Sequence, residues 1–132
     1  MADFETVKSY LLDVNLTILE ENDDEQLVVV QNEENGIQHL VVDCQDPTVV
    51  LEQLILRLPN ADPGLYKRLL QMNRTLVHGA FALDDSGEMV LWRDTLQLAN
   101  LDPNEIEASL DALTLALAEH GSELLDYAHA NA

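Results

Sequence analysis

Phe4, Val7, Leu11 and Val14 recur at the three-to-four-residue spacing of one helical face, and Asp3 stands in front of them as a good N-cap. The chain should therefore open with an amphipathic helix over roughly residues 3 to 14. The period then changes. Leu16, Ile18 and the run Leu27 to Val30 lie on either side of the acidic, turn-forming stretch Glu20 to Glu25, and β-branched enrichment around Val28 predicts a strand there. Asn35-Gly36 is a two-residue hairpin signal, because both residues tolerate positive φ, and it leads into a strand from Ile37 to Cys44.

Residues 46–58 fit two readings. With Asp46 as cap and Pro47 as first helical residue, Val50, Leu51, Leu54 and Leu58 share a helical stripe. With a turn at Gln45 to Pro47 and a strand from Val49 to Leu58, Val50, Leu54, Leu56 and Leu58 share one strand face. Periodicity does not choose between them. Asp62-Pro63 repeats the cap-then-proline pattern ahead of Leu65, Leu69, Met72 and Leu76, which predicts a helix over about 63 to 75 with Lys67, Gln71 and Arg74 opposite. Gly79 to Leu83 and Met89 to Leu98 flank the turn Asp84-Asp85-Ser86-Gly87 and read as a hairpin, with Val90, Trp92, Leu96 and Leu98 on one face of its longer arm. Asp102, Pro103 and Glu105 combine cap, proline and capping-box acid at the start of a long helix striped by Ile106, Leu110, Leu113, Leu117 and Leu124; Gly121 should end or kink it. The expected order is α-β-β-β-α-β-β-α, an α+β chain with helices packed on an antiparallel sheet.

Charge adds what periodicity leaves out. Residues 1–46 hold twelve acids and one base, residues 47–98 six acids and five bases, and residues 99–132 seven acids and no base, within a chain of net charge −19. Such a chain repels phosphate backbones and anionic headgroups, which excludes nucleic acid and direct membrane binding and leaves a protein partner. The nearly neutral middle, with Arg57, Lys67, Arg68, Arg74 and Arg93, repels its own copies least, so self-association should use it unless these bases only decorate solvated faces. At 132 residues, about a third of them Leu, Ile, Val or Phe, the chain is sized for a single domain, residues 1–132, with a packed core.

Catalytic motifs are missing. The sequence holds no CxxC, GxGxxG, P-loop, HExxH or GxSxG, so neither an enzyme nor a cofactor is expected. Cys44 lies among apolar residues with no base beside it and reads as a buried small hydrophobe. His39, His78, His120 and His129 are scattered, and His120 with Glu123 does not complete a metal site. With no charged-then-apolar leader and no run of about 18 apolar residues, the chain reads as cytoplasmic.

Several stretches, taken in order, resemble one family. They are the Asp62-Pro63 helix with Leu69-Leu70 and Asn73, the hairpin Gly79-Ala80-Phe81-Ala82-Leu83 with its Asp84-to-Gly87 turn, the run Arg93-Asp94-Thr95-Leu96-Gln97-Leu98, and Leu101-Asp102 with the helix around Ala108 to Ala118. Over roughly residues 3 to 127 the chain resembles the small type III secretion chaperones of the Tir-chaperone (CesT) type and the related YbjN-like bacterial proteins. The resemblance favours a strand at 46–58. It implies a non-enzymatic cytoplasmic protein, usually a homodimer, that holds an extended segment of another protein, or alternatively a stress or sensory adaptor for a folded partner. It also implies that the dimer is built from residues 63–75 and 79–98, where Leu70, Arg74, Phe81, Trp92 and Arg93 are the candidate contacts. For Trp92, core packing under the last helix is the other reading. Candidate partner contacts are Phe4, Val7 and Leu11, which either close the sheet or form a groove lip, together with Leu54 and Leu56.

Overall fold

The computed structural model describes residues 3–131. Each helix starts where an aspartate caps it. Asp3 accepts from the Thr6 N–H (2.9 Å) ahead of α1 (Phe4–Asp13), Asp62 from Leu65 N–H (3.2 Å) ahead of α2 (Pro63–Asn73), and Asp102 from Glu105 N–H (3.0 Å) ahead of α3 (Pro103–Ala130). Proline opens the second and third, at a position whose N–H would have no helical partner. The strands are β1 (Thr17–Asn22), β2 (Leu27–Asn32), β3 (Ile37–Gln45), β4 (Thr48–Arg57), β5 (Ala80–Leu83) and β6 (Met89–Gln97). They form one antiparallel sheet in the order β1-β2-β3-β4-β6-β5. The class is α+β, as the stripes predict.

The core explains the stripes. Phe4, Val7 and Leu11 of α1, Leu65, Leu69 and Met72 of α2, and Ile106, Leu110, Leu113 and Leu124 of α3 share one buried cluster with alternate strand residues such as Val28, Val30, Leu40, Val42, Val49, Leu51 and Trp92. One sheet face is thus covered by all three helices. The other face, through Val41, Glu52, Arg93 and Ala80 in neighbouring strands, carries none among the described residues.

Four expectations change. The expected order has three strands before the middle helix and the structure has four, because Thr17–Asn22 pairs as an outer strand. Its sequence, TILEEN, is mostly exposed and acidic, so it carries no strand alternation. At Asn35-Gly36 the link is a single 3-10 turn, Glu33–Asn35, and only Gly36 is left-handed (φ 77). The Thr114 hydroxyl of α3 holds that turn by donating to the Asn35 carbonyl (2.7 Å), a tertiary contact that local turn chemistry does not encode. Residues 48–57 are a strand, but its face is not the expected one. Val49, Leu51 and Gln53 point to the helices, and a bulge between Leu54 and Leu56 then turns Leu56 and Leu58 inward, leaving Val50 and Leu54 on the helix-free face. Finally, α3 runs through Gly121 to Ala130 with no break there.

Two bulges prise the sheet open at its centre. β3 and β4 pair from Gln45↔Thr48 as far as Val41↔Glu52. Between Leu40 and Ile37, β3 carries one residue more than β2 opposite it, with His39 left-handed (φ 49). The buried Gln53 side chain bridges the gap: its Oε1 accepts from Gln38 N–H (3.0 Å) and its Nε2 donates to the Gly36 carbonyl (3.0 Å), so it serves β3 as a neighbouring strand would.

Candidate functional site

Of the large apolar side chains left exposed, Leu12, Leu19 and Leu115 stand apart and the others fall in two places. The first is the end of the molecule formed by α2 and β5. Leu70 is 72% exposed and Val77 77%, Leu83 is also exposed, and a hollow of about 260 Å³ lies between Tyr66, Leu69 and Leu83. The β5 main chain itself is not open there. Asn73 reaches from the end of α2 to accept from Phe81 N–H (2.8 Å) and donate to the Phe81 carbonyl (3.1 Å), which closes that strand edge. Tyr66 donates to the Gly87 carbonyl (3.3 Å), tying the helix to the β5–β6 turn.

The second place is the breach between β3 and β4, a groove of about 530 Å³ roofed by the C-terminal half of α3. Leu54, Ile55 and Leu56 form one wall and Leu117, Leu124 and Leu125 the other. Gly121 sits between the α3 leucines, and a Cβ added there would touch nothing within 4 Å.

The candidate residues divide among these surfaces and the core. Phe4, Val7 and Leu11 are buried against the sheet, so of their two readings the structure has them closing the core. Leu54 borders the groove on β4 with its side chain 40% exposed on the helix-free face, whereas Leu56, beyond the bulge, is largely buried. Leu70 and Arg74 lie exposed on α2. Phe81 and Trp92 do not join them: both point to the helices and are buried, Trp92 completely. Arg93 is on the opposite, helix-free face, donating to Glu52 at 2.6 Å. The five candidate dimer contacts therefore do not form one patch, because strand alternation sends neighbouring residues to opposite faces. Sequence reasoning missed Val77 and Leu83 at the first place and Leu117, Gly121 and Leu125 at the second. Only exposure in the fold separates these leucines from core leucines, although a glycine inside a helical stripe was a signal.

Several polar and titratable groups are occupied structurally, whereas the buried Trp92 Nε1 has no hydrogen-bond partner among the described residues. Arg68 of α2 grips Glu123 of α3 with Nε (2.6 Å) and Nη2 (3.1 Å), and these bonds hold the Glu123 carboxyl below its ordinary range. Burial pushes the Cys44 thiol up to about 11, so it stays protonated and unreactive near neutral pH. His120 is buried with Nε2 3.0 Å from the Thr75 hydroxyl, and Phe81 packs edge-on to its ring. Since that hydroxyl donates to the Met72 carbonyl (2.7 Å), His120 is the donor in the pair. Asp94 accepts from the buried Ser109 hydroxyl (2.7 Å), joining β6 to α3. Among the described residues no group of three or more metal-ligating side chains comes together, and no helix is long and apolar enough to cross a membrane.

An acidic α+β chain with one sheet face under three helices and uncovered apolar surface at two places has the build of a small protein-binding module. The family model CesT_Tir_1 matches residues 1–130, and the chain belongs to that family. No curated protein matches it in sequence. Among solved structures it is similar to YbjN from E. coli, described as a candidate transcription regulator, at 15% identity and TM-score 0.69, over 92% of this chain and 93% of that one. It is also similar to a chain of the HopA1–SchA chaperone–effector complex, at 12% identity and TM-score 0.61, over 87% and 91%. A third likeness is to a chain of the heterodimeric ExoU–SpcU complex from the type III secretion system of Pseudomonas aeruginosa, at 14% identity and TM-score 0.57, over 86% and 93%.

Proposed function

We propose that this chain is a non-enzymatic, chaperone-like binding protein of the cytoplasm that acts as a homodimer and masks an extended segment of a partner protein. The observation that carries the reading is the uncovered apolar surface at α2–β5 and in the β3–β4 breach, in a chain whose −19 charge keeps it apart from its own copies elsewhere. Membership of the CesT_Tir_1 family and likeness to a chaperone–effector complex support it. Binding by masking involves no covalent step.

The second copy would dock at the α2–β5 end. Leu70, Val77 and Leu83 are exposed there, and Arg74 stands among them in the least repulsive part of the sequence. Because Asn73 occupies the β5 edge, the contact would be side chain on side chain and not a continued sheet. Light scattering behind size-exclusion should give a dimer at micromolar concentration, strengthened by added salt that screens the net charge, and Leu70→Glu should yield a folded monomer. A wild-type monomer overturns the dimer. Capture of folded proteins only, never of a flexible segment, overturns the masking role. That second outcome would favour an adaptor for one folded regulatory partner, a reading supported by the likeness to YbjN.

A further inference from the structure

Three strand edges exist in this sheet, and two are closed. β1 is edged with acids and bulged between Ile18 and Glu20, and β5 is capped at Phe81 by Asn73. The third is internal. Past Glu52, β4 pairs with β6 on one side, from Gln53↔Trp92 to Arg57↔Met89, while on the other side its pairing with β3 has ended. β3 does not need it, since Gln53 has already satisfied Gln38 N–H and the Gly36 carbonyl. β4 over residues 54–56 therefore lines the groove with no strand opposite it among the described residues.

We infer that this breach takes an extended partner segment, apolar at alternate positions and basic at its ends, as an added strand along β4. The inference rests on the segment-holding reading and gives it a place and a chemistry. The open edge calls for an extended main chain, which is how strand addition gains affinity. Ile55, Leu117 and Leu125 call for alternate apolar side chains. The position of Gly121 calls for close approach, because a mid-helix glycine over open space is destabilising in this chain alone. Charge selects the ends. The walls come from β3, β4 and α3, on which Arg57 is the single base, with Glu33-Glu34 next to Gly36 and a base-free α3 above. A second copy of this acidic chain would bring repulsion to that place, so the occupant is another protein.

The test uses the full chain and short fluorescein-labelled peptides of alternating valine and threonine, flanked by lysine pairs, by glutamate pairs, or by lysine pairs with alternate main-chain nitrogens methylated. Anisotropy should show micromolar binding of the first, weaker by tenfold or more for the other two. Gly121→Leu should fold, since nothing stands over that position, and should weaken the lysine-flanked peptide tenfold or more, as should Leu125→Glu at an exposed groove position. Binding unchanged in both variants overturns the breach as the site and leaves segment holding in place. Absence of binding by all three peptides overturns the inference, and if capture then yields only folded partners, the reading beneath it fails as well.

Discussion

The two outer strands of the sheet, β1 and β5, face the same hazard, an unpaired edge that another chain could extend, and they meet it differently. β1 is polar and bent. Glu20 and Glu21 line it, a bulge interrupts its pairing with β2, and Lys8 of α1 is held to Glu21 at 2.9 Å and to Glu5 at 2.8 Å. β5 is four uncharged residues, AFAL, whose edge is closed by the single side chain of Asn73. On β1 the acids and the bulge oppose strand addition. Capping keeps strands from β5 but leaves Leu70 and Leu83 beside it available for side-chain docking. A protein can thus refuse indiscriminate sheet extension at both ends and still offer an interface at one.

The largest expected effect is at the β5 end. Gly79, just before β5, has φ +73, and a Cβ on it would lie 2.5 Å from Cζ2 of the Trp92 ring. Gly79→Ala combines a disfavoured backbone conformation with overpacking against a fully buried ring, and should cost about 3 kcal/mol. Urea unfolding followed by fluorescence of Trp92, the chain's one tryptophan, measures it directly. A cost below about 1 kcal/mol would mean that the approach to Trp92 is not what holds this end together.

Next is the cap itself. Asn73→Ala removes both partners of the Phe81 main chain in a partly buried setting and should cost about 2 kcal/mol. It should also turn β5 into an open edge, so the variant should associate beyond the wild-type state as concentration rises, seen by light scattering. Asn73→Asp, which keeps the acceptor for Phe81 N–H and loses the donor, should fall between them. A variant that loses stability without gaining association would dissolve the contrast with β1, since capping would then serve folding alone.

The contrast also explains what was legible. Helix starts were legible because their signals are local: Asp3, Asp62-Pro63 and Asp102-Pro103 cap the helices where they should. Core stripes were legible for the same reason, and the family resemblance tipped residues 48–57 to a strand. β1 was not legible, because an edge protected by acids loses the alternation that marks a strand. The breach was not legible either. It depends on two bulges and on Gln53 bonding to residues 15 and 17 positions away, so no local window contains it. The resemblance places Phe81 and Trp92 in an interface, with core packing as the other reading for Trp92; β5–β6 register sends both inward, Phe81 opposite Trp92, and Arg93 outward. Glycine at 121 was visible, but its meaning needed the open space above it.

The smallest expected effect sets the two ends against each other in pH. At the α2–α3 contact, bonding to Arg68 lowers Glu123, so its folded carboxyl ionises more readily than its unfolded one. That contribution is present above the unfolded pKa and is lost as pH falls through the folded value. At the α1–β1 corner the signs are mixed. The Thr6 N–H bonded to the cap Asp3 lowers that carboxyl and hydrogen bonding to Lys8 lowers Glu21, whereas the neighbouring Glu21 raises Asp23, whose contribution is present at low pH and lost as pH rises through its folded value. Acidification from neutral to about pH 3 should therefore loosen α2 from α3 with no offsetting gain, while at α1 the gain at Asp23 offsets part of the loss at Asp3 and Glu21. Amide hydrogen exchange, corrected for the intrinsic rate at each pH, should lose protection in residues 63–73 before residues 4–13. Glu123→Gln should remove that difference, because it deletes the titration but keeps an oxygen to accept from Arg68. Equal loss of protection in both segments of the wild-type chain would show that the two ends answer to acid alike, and that their difference lies in geometry alone.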